Sequence, residues 1–482
     1  MIKTKQIRHL LHPCNLHDLD SFYQRMSTVL GTFIVLTISI LLFVTLGKRQ
    51  QTHSTSNNPA LCRQIIAGML KHEDQPNIHS PHQAKAMANR HLSIAFGIDN
   101  AFTRTDSVHA SMFVEKVKPL INLSSKQWRG VSEFARVTAS HWVEHGFPGL
   151  DHSGSCSCHE GKQNISSNKT SVDCNQINIA SLAQILSLKV VLSLFFKQRP
   201  QDQTCDENLL NLAQSINRVW ISSKLKPAEN DIPRFEDDVL LQTSLVNIFG
   251  KHDLPENNPL NLILPSFETM WRVVLRAFLE IRFETGKEVP AWRDTMIAFS
   301  KNPTKPQFDA CPASPSSNEP RMGDTHDVQS SPSAKYIVLE SLRLYVPTRH
   351  IHRAYQWDRG MGTSYEIKSA DIEGCHLRSD IWGSDARRFN PDRWSALTPV
   401  QGDAFMPFGC PPFECPAKPT FGPRMIGVLV GALLAALEDK EQGKTWTLDC
   451  EDVSVLEHIT SGKKLCPHRN AYTDLYLVRS ME

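Results

Sequence analysis

The chain has 482 residues, enough to bury the core of one large domain or of several smaller ones. Its 52 Lys and Arg residues against 50 Asp and Glu residues leave a formal net charge of +2, which excludes the strongly basic surface of a nucleic-acid-binding protein. Twelve cysteines without regular spacing exclude a disulfide-stapled module and indicate mostly reduced thiols. We therefore expect a neutral or apolar small-molecule partner and no nucleic acid.

The amino-terminal region contains an apolar segment from Val29 to Leu46 that carries no charge and is long enough to cross a membrane as a helix. The polar leader before it is long for a cleaved signal peptide, and no small-residue cleavage site follows it. Basic residues flank both ends, so charge alone leaves the orientation open. The predicted organisation is a tail over 1–25, a transmembrane anchor over 26–47, a linker over 48–80 and a folded domain over 81–482.

Most of the remaining chain has apolar residues three and four positions apart, which predicts helices. The predicted helices cover 83–96, 108–117, 125–143, 182–197, 208–223, 235–252, 262–283, 334–344 and 425–437. The stretch 262–283 is apolar enough to suggest a second membrane span. Charged residues such as Glu268 and Arg272 would be costly in lipid, however, so we predict a central helix of the folded domain.

A small β portion is predicted after the helix at 334–344. Residues 347–355 and 365–367 have the β-branched and aromatic content of short strands, and 371–377 resembles a turn that enters another strand. The segments 152–174 and 302–333 are rich in Ser, Asn, Asp, Gly or Pro and predict loops. The expected fold class is therefore mainly α with a small β portion, in a single large domain.

Three short motifs follow one another in the carboxy-terminal third. Glu340 and Arg343 lie three positions apart on one predicted helix, a spacing that alone is typical of a surface ion pair. The sequence PDRW follows at 391–394, and the Pro- and Gly-rich loop FGCPPFECPA begins at Phe408. Taken alone, this loop is typical of a surface turn before a buried helix.

Together and in this order, the three motifs resemble those of the cytochrome P450 family, the haem-thiolate monooxygenases. Members have an E-x-x-R helix, a P-E-R-F-like segment and a loop F-G-x-G-x-R-x-C-x-G that carries the iron ligand. The resemblance implies a P450-like fold that binds haem b, with Cys415 as the axial ligand of the iron and with Phe408 and Gly409 in the haem-binding loop. A thiolate ligand pushes electron density towards bound oxygen and favours O–O cleavage.

The resemblance also implies a structural charge triad, in which Glu340, Arg343 and Arg393 fix the scaffold beneath the loop. Ten residues after Arg343, Arg353 occupies the place where the family offers an arginine to a haem propionate. His352 is the neighbouring alternative.

On the distal side, family members carry A/G-G-x-D/E-T on the central helix, where the acid and the hydroxyl relay protons to iron-bound oxygen. The sequence PSFET at 265–269 matches in Glu268 and Thr269, which are the expected catalytic residues. Pro265 replaces a small residue, and we expect it to open the helix by removing a backbone donor.

The sequence also departs from the family pattern. Phe413 replaces the loop arginine that binds a propionate, and Pro411 and Ala417 replace loop glycines. The family motif W-x-x-x-R retains Trp128 but has Ser in the fourth place, so Arg129, or alternatively Arg136, would have to supply the positive charge.

The resemblance implies a monooxygenase that inserts one oxygen atom from O₂ into a lipophilic small molecule, with electrons from NADPH through a reductase. The run CPAK at 415–418 with FGPRM at 421–425 is most similar to membrane-anchored fungal members of terpenoid, polyketide or sterol metabolism. The resemblance to the family also implies a single-pass protein of the endoplasmic reticulum membrane with a cytosolic catalytic domain. Two alternatives stay open: an O₂-independent haem-thiolate isomerase or dehydratase, and a degenerate haem-binding protein without catalysis.

Overall fold

The computed structural model describes residues 52–70, 78–146, 176–196, 206–225, 231–250, 257–312, 331–358, 363–438 and 444–481. The chain divides into two compact units, and the larger one comprises His53–Trp357 and Glu366–Glu482. Almost all of the smaller unit, Met1–Thr52 with Asp358–Tyr365, lies outside the described residues. The predicted transmembrane anchor at 26–47 also lies outside them. Among the described helices, none has the length and apolar character that crossing a membrane requires.

Helices make up most of the described structure. In chain order they are α1 (Pro59–Ala67), α2 (Pro81–Ala88), α3 (Arg90–Phe96), α4 (Ser107–Ile121), α5 (Ser125–His145), α6 (Ile179–Phe195), α7 (Asp206–Leu225), α8 (Val239–Phe249), α9 (Leu260–Ile263), α10 (Thr269–Phe283), α11 (Pro290–Lys301), α12 (Lys305–Asp309), α13 (Ala334–Leu344), α14 (Ile372–His376), α15 (Ser379–Trp382), α16 (Pro399–Ala404), α17 (Phe421–Ala436) and α18 (Val453–Ile459). A π-helical turn, Leu264–Glu268, joins α9 to α10, and short 3₁₀ turns cover Phe235–Asp237, Thr285–Glu288 and Pro391–Ser395.

Two small sheets join this helical body. The strands are β1 (Thr52–Ser56), β2 (Gln176–Asn178), β3 (His350–Asp358), β4 (Thr363–Asp371), β5 (Lys444–Asp449) and β6 (Tyr476–Met481). The strand orders are β1-β4-β3 and β2-β6-β5. In the second sheet β6 pairs antiparallel with both neighbours, and Leu477 lies opposite Ile177 and Leu448. The predicted fold class, mainly α with a small β portion, is confirmed.

Three local predictions are corrected. The predicted helix 83–96 is two helices, because the chain turns at Asn89 between α2 and α3. The segment 371–377 does not enter a strand, because the Asp371 carboxylate caps the short helix α14 through the Gly374 N–H. The predicted linker 48–80 contains β1 and α1. There Asn58 caps the helix, and Ile65 and Ile66 are buried.

The centre of the core is formed by α10 and α17, whose side chains are buried on nearly all sides. Two glycines of α17 allow α11 to pack closely. A Cβ at Gly427 would lie 2.8 Å from the Phe299 ring, and one at Gly431 would collide with the Met296 carbonyl oxygen. A largely buried helix, with small residues at its contacts and Arg424 as the charged residue of its first turn, therefore lies directly behind the loop that contains Cys415.

Gly431→Ala tests this close approach. Overpacking against a backbone carbonyl should lower the free energy of unfolding by about 1 to 3 kcal/mol. Gly130→Ala on α5 is the matched control, because no atom lies within 4 Å of a Cβ there. We expect it to raise stability by up to about 1 kcal/mol through helix propensity. Urea unfolding of both variants measures the difference, and equal effects would contradict the packing.

Candidate functional site

The predicted charge triad is present as a cluster in which Glu340 and Arg343 are fully buried and Arg393 is partly buried. Glu340 and Arg343, one turn apart on α13, form a bidentate pair, with the guanidinium Nε and Nη2 at 2.9 and 2.7 Å from the two carboxylate oxygens. Arg393 adds a contact of 3.1 Å from its Nε to Glu340 Oε1. A planar guanidinium that meets both oxygens at once gives a strong, directional charge-assisted pair.

The remaining bonding capacity of the Glu340 carboxylate is also filled. The Trp394 indole N–H donates to Oε2 at 3.0 Å, and the Asn390 backbone N–H donates to Oε1 at 2.9 Å. Arg393 is shared with Asp385, at 2.9 Å from Nη2 to Oδ2. This saturation is what permits burial, because an ion pair removed from water is tolerated only when its other polar atoms are bonded too.

His376 connects the triad to the loop that contains Cys415. Arg343 Nη1 donates to the His376 carbonyl oxygen at 2.7 Å, and His376 Nδ1 lies 3.0 Å from the Arg343 carbonyl oxygen. The Met406 backbone N–H donates to His376 Nε2 at 3.0 Å. These partners assign the neutral tautomer with the proton on Nδ1. Full burial, with the nearby Arg343 charge, lowers the pKa of His376 to about 3.

Backbone hydrogen bonds fold the loop back on itself. The Gly409 N–H donates to the Met406 carbonyl oxygen at 3.1 Å, and Gly409 has a φ of +73°, a left-handed conformation that favours glycine. The Cys415 N–H donates to the Phe408 carbonyl oxygen at 2.9 Å. The Phe408 ring also packs against Gly422, where a Cβ would lie 2.8 Å from the ring. Phe408 and Gly409 thus set the loop's shape and join it to α17.

The two cysteines of the loop lie in different surroundings. Cys410 is buried in a side cluster with Ile66, whereas the Cys415 side chain is accessible. The protein around Cys415 nevertheless desolvates the thiol and raises its pKa, against the opposing effect of the Ala417 N–H that donates to the sulfur. Cys415 is therefore the loop thiol that is open to a ligand.

The segment expected to carry catalysis lies at the start of the central helix. It forms a π-helical turn that contains Pro265. The Thr269 hydroxyl donates to the Pro265 carbonyl oxygen at 3.1 Å. Four residues of this region are only half-buried, while most of the neighbouring residues are fully buried. The spacing of the four half-buried residues places them on one face of the helix. They are Leu262, Pro265, Ser266 and Thr269. The Thr269 hydroxyl therefore lies on the one face of this helix that is open.

Glu268 points away from that open face and is fully buried. Its Oε1 contacts Arg469 Nη1, and the Arg272 Nε lies 3.6 Å from the same oxygen. Its Oε2 has no hydrogen-bond partner. Burial lowers the pKa of Arg469 to about 9. No motif points to Arg469, because it lies in the loop before β6, about two hundred residues further along the chain.

The predicted partners of the haem propionates lie in different places. Arg353 is buried on β3, and its guanidinium is 5.2 Å from the centre of the Phe413 ring. Its Nε donates to the Ile66 carbonyl oxygen at 3.0 Å. Trp128 is buried beneath the guanidinium of Arg424, at 4.1 Å. Arg129 is exposed, so the structure does not bring it to the Trp128 ring.

The other two positions of the W-x-x-x-R region serve helix packing. The Ser132 hydroxyl donates to the Ser300 carbonyl oxygen and so joins α5 to α11. Arg136 pairs with Glu133 one turn earlier on its own helix. Arg424, from the first turn of α17, is the cation that the structure places on Trp128 instead.

The donor set fits a haem. It offers an accessible thiol on a loop held by a buried network, a hydroxyl on the open face of the central helix, and buried cations near the loop that could meet carboxylates. Among the described residues, no group of three or more His, Cys, Asp or Glu side chains is arranged to hold a free metal ion. The loop thiol with the buried cations near it fits an iron that one thiolate holds within a ring carrying carboxylates.

Sequence comparison points the same way. No family model matches the chain. It is 32% identical over 92 residues to a cytokinin hydroxylase of Arabidopsis thaliana, covering 18% of each chain. It is 49% identical over 43 residues to the cytochrome P450 monooxygenase apdE of Emericella nidulans, covering 9% of this chain and 8% of that protein. This chain is related in sequence to the cytochromes P450.

The matches cover less than a quarter of those relatives' own length. Similar solved structures include a variant of cytochrome P450SP alpha, with a TM-score of 0.48 and 10% identity over 91% of this chain and 95% of that one. A six-coordinated cytochrome P450 from Thermus thermophilus has a TM-score of 0.42 and 14% identity over 80% and 91% of the two chains. The resemblance to cytochromes P450 that the three motifs indicated is confirmed by the sequence relatives.

Glu340→Gln tests the energetic role of the triad. The variant leaves Arg343 without its buried counter-charge and Arg393 with Asp385 alone, and it should lower the free energy of unfolding by about 3 to 5 kcal/mol. The matched control is Glu414→Gln, which breaks the exposed pair with Lys418 on the Cys415 loop and should cost less than about 1 kcal/mol. Urea unfolding of both variants measures the difference. A cost for Glu340→Gln as small as that of the control would contradict the role of the triad.

His376→Gln tests the link through pH. Because the folded pKa of about 3 lies below the ordinary 6.5, the unfolded chain binds the extra proton between these values. Stability from this group is complete above pH 6.5 and is lost as the pH falls towards 3, at up to about 1.4 kcal/mol per pH unit. His376→Gln should flatten this acid limb in urea unfolding between pH 4.5 and 7, whereas the same change at exposed His468 should not.

Proposed function

We propose that the protein is a haem-thiolate monooxygenase that inserts one oxygen atom from O₂ into a lipophilic small molecule. The observation that carries the proposal is Cys415, an accessible thiol on a loop anchored to a saturated buried charge network. The loop motif, the triad and the sequence relatives support the same assignment.

A haem bound through a cysteine thiolate supplies the electron-rich iron chemistry that cleaves dioxygen. The chain's own residues hold this ligand. The Ala417 N–H donates to the Cys415 sulfur, and backbone hydrogen bonds within the loop fix the chain at Phe408 and Gly409. Donors to a ligand sulfur stabilise its thiolate form and tune the electron density that it provides.

Thr269 and Glu268 are the proposed proton-handling residues. The Thr269 hydroxyl can donate from the open face of the central helix, and its present acceptor, the Pro265 carbonyl oxygen, holds it there. Glu268 lies directly before it and keeps one carboxylate oxygen without a partner. In this arrangement the Thr269 hydroxyl can turn to give its proton to the open side, and the Glu268 carboxylate can first accept a proton at its free oxygen and then pass it on to Thr269.

The wider biology is part of the same proposal. The likeness of the loop to membrane-anchored fungal proteins supports a role in secondary-metabolite or sterol metabolism, with a terpenoid, polyketide or sterol substrate. Electrons would come from NADPH through a reductase. The apolar segment in 26–47 supports a single-pass anchor in the endoplasmic reticulum membrane, with the catalytic domain in the cytosol.

A carbon monoxide difference spectrum of the reduced protein tests the assignment. The wild type should show the red-shifted Soret band of thiolate-ligated ferrous haem, and Cys415→Ala should abolish it. Cys410→Ala is the matched control from the same loop and should keep the band, because Cys410 is buried in a separate cluster. A wild type without the band, or a band that survives Cys415→Ala, would overturn the proposal.

A further inference from the structure

The ring of Phe413, two residues before Cys415, lies among three basic side chains. Lys85 Nζ, from α2, is 4.1 Å from the ring centre, and the Arg353 guanidinium is 5.2 Å from it. The His82 ring meets Phe413 edge to face at 4.9 Å. Lys85 is only 6% exposed and Arg353 only 4%. Two cations from distant parts of the chain are thus buried around one aromatic ring of the ligand loop.

These two cations lack a counter-charge among the described residues. Arg353 donates to the carbonyl oxygens of Ile66 and His352, at 3.0 and 2.8 Å, and no described residue forms a hydrogen bond or ion pair with the Lys85 amine. Burial lowers the pKa of Lys85 to about 8, and the neighbouring Arg353 lowers it further in the same direction. In the part of the chain that the structure describes, two like charges are therefore held together in the interior with no acid beside them.

Local packing alone does not account for this arrangement. A cation over an aromatic face contributes about 2 kcal/mol at most, and a lysine in the last turn of a helix gains about 1 kcal/mol from the helix dipole. Removing a cation from water costs several kcal/mol. The imbalance indicates a missing anion beside Phe413. A free surface lysine would give no such indication, because water would solvate it.

We propose that Lys85, together with Arg353, binds a propionate carboxylate of the haem, and that Lys85 takes over the charge of the loop arginine that Phe413 replaces. This inference rests on the proposed haem-thiolate function. The Phe413 ring forms the wall that holds both cations near the ligand loop. The missing arginine is then not a loss of haem binding, since a lysine from α2 supplies the charge.

Haem retention in Lys85→Met tests the inference. This variant keeps the unbranched stem and removes the charge. Transfer of haem to excess apomyoglobin should be roughly ten- to a hundred-fold faster than from the wild type, as expected for a lost hydrogen bond between charged groups. Lys118→Met, at an exposed lysine that pairs with Glu115, is the matched control and should leave the rate unchanged. An unchanged rate in Lys85→Met would overturn the inference.

Two further measurements separate charge pairing from a structural role. Haem dimethyl ester lacks free carboxylates, so it should dissociate from the wild type and from Lys85→Met at similar rates. In the double variant Lys85→Met, Phe413→Arg, the restored loop arginine should bring haem retention back towards the wild type. If Lys85→Met destabilised only the fold, the ester would dissociate faster from the variant too, and Phe413→Arg would not rescue it.

A last measurement needs no variant. Acetylation of Lys85 in the wild-type apoprotein, followed by mass spectrometry, should be strong near pH 8 and should fall when haem is added. Equal modification with and without haem would overturn the inference even if Lys85→Met failed to fold. A wild type that binds haem but shows no red-shifted Soret band would instead refute the proposed function, so the two failures are distinguishable.

Discussion

The candidate site depends on one buried carboxylate. Glu340 joins α13 to the segment around Arg393 and Trp394, and every bonding position of its two oxygens is used. Through Arg343 the same network reaches His376, whose imidazole holds the first turn of the loop that contains Cys415. The position of the thiol is therefore set by polar contacts of fixed direction. Apolar packing alone would tolerate small shifts, whereas these hydrogen bonds specify one geometry.

The positive charge near the loop comes from residues outside the loop motif itself. The family pattern predicts the missing cation at Arg129 or Arg136. Arg129 is exposed, however, and Arg136 pairs with Glu133 on its own helix. The structure gathers Lys85 and Arg353 around Phe413 instead. What the site requires is a positive charge in a given volume, and residues from several elements can satisfy that requirement.

Much of the fold was predictable, because helix periodicity and motif order are local signals. The central helix, the spacing of Glu340 and Arg343 and the effect of Pro265 could all be read from neighbouring residues. The break at Asn89 and the short α14 were missed. The Asp371 side chain caps α14, whereas at Asn89 the chain turns through its backbone without a side-chain cap. His376, Lys85 and Arg469 were missed for another reason. Each acts through partners tens to hundreds of residues away, and a single sequence contains no signal for such contacts.

The contact between Glu268 and Arg469 also connects two distant parts of the chain. Arg469 lies in the loop before β6, and its contact with Glu268 ties this carboxy-terminal segment to the π-helical turn beside Thr269. If the segment moves away, Glu268 keeps only Arg272, at 3.6 Å. The same event thus loosens the loop and releases the carboxylate. One ion pair thus couples the position of this carboxy-terminal segment to the charge that surrounds Glu268.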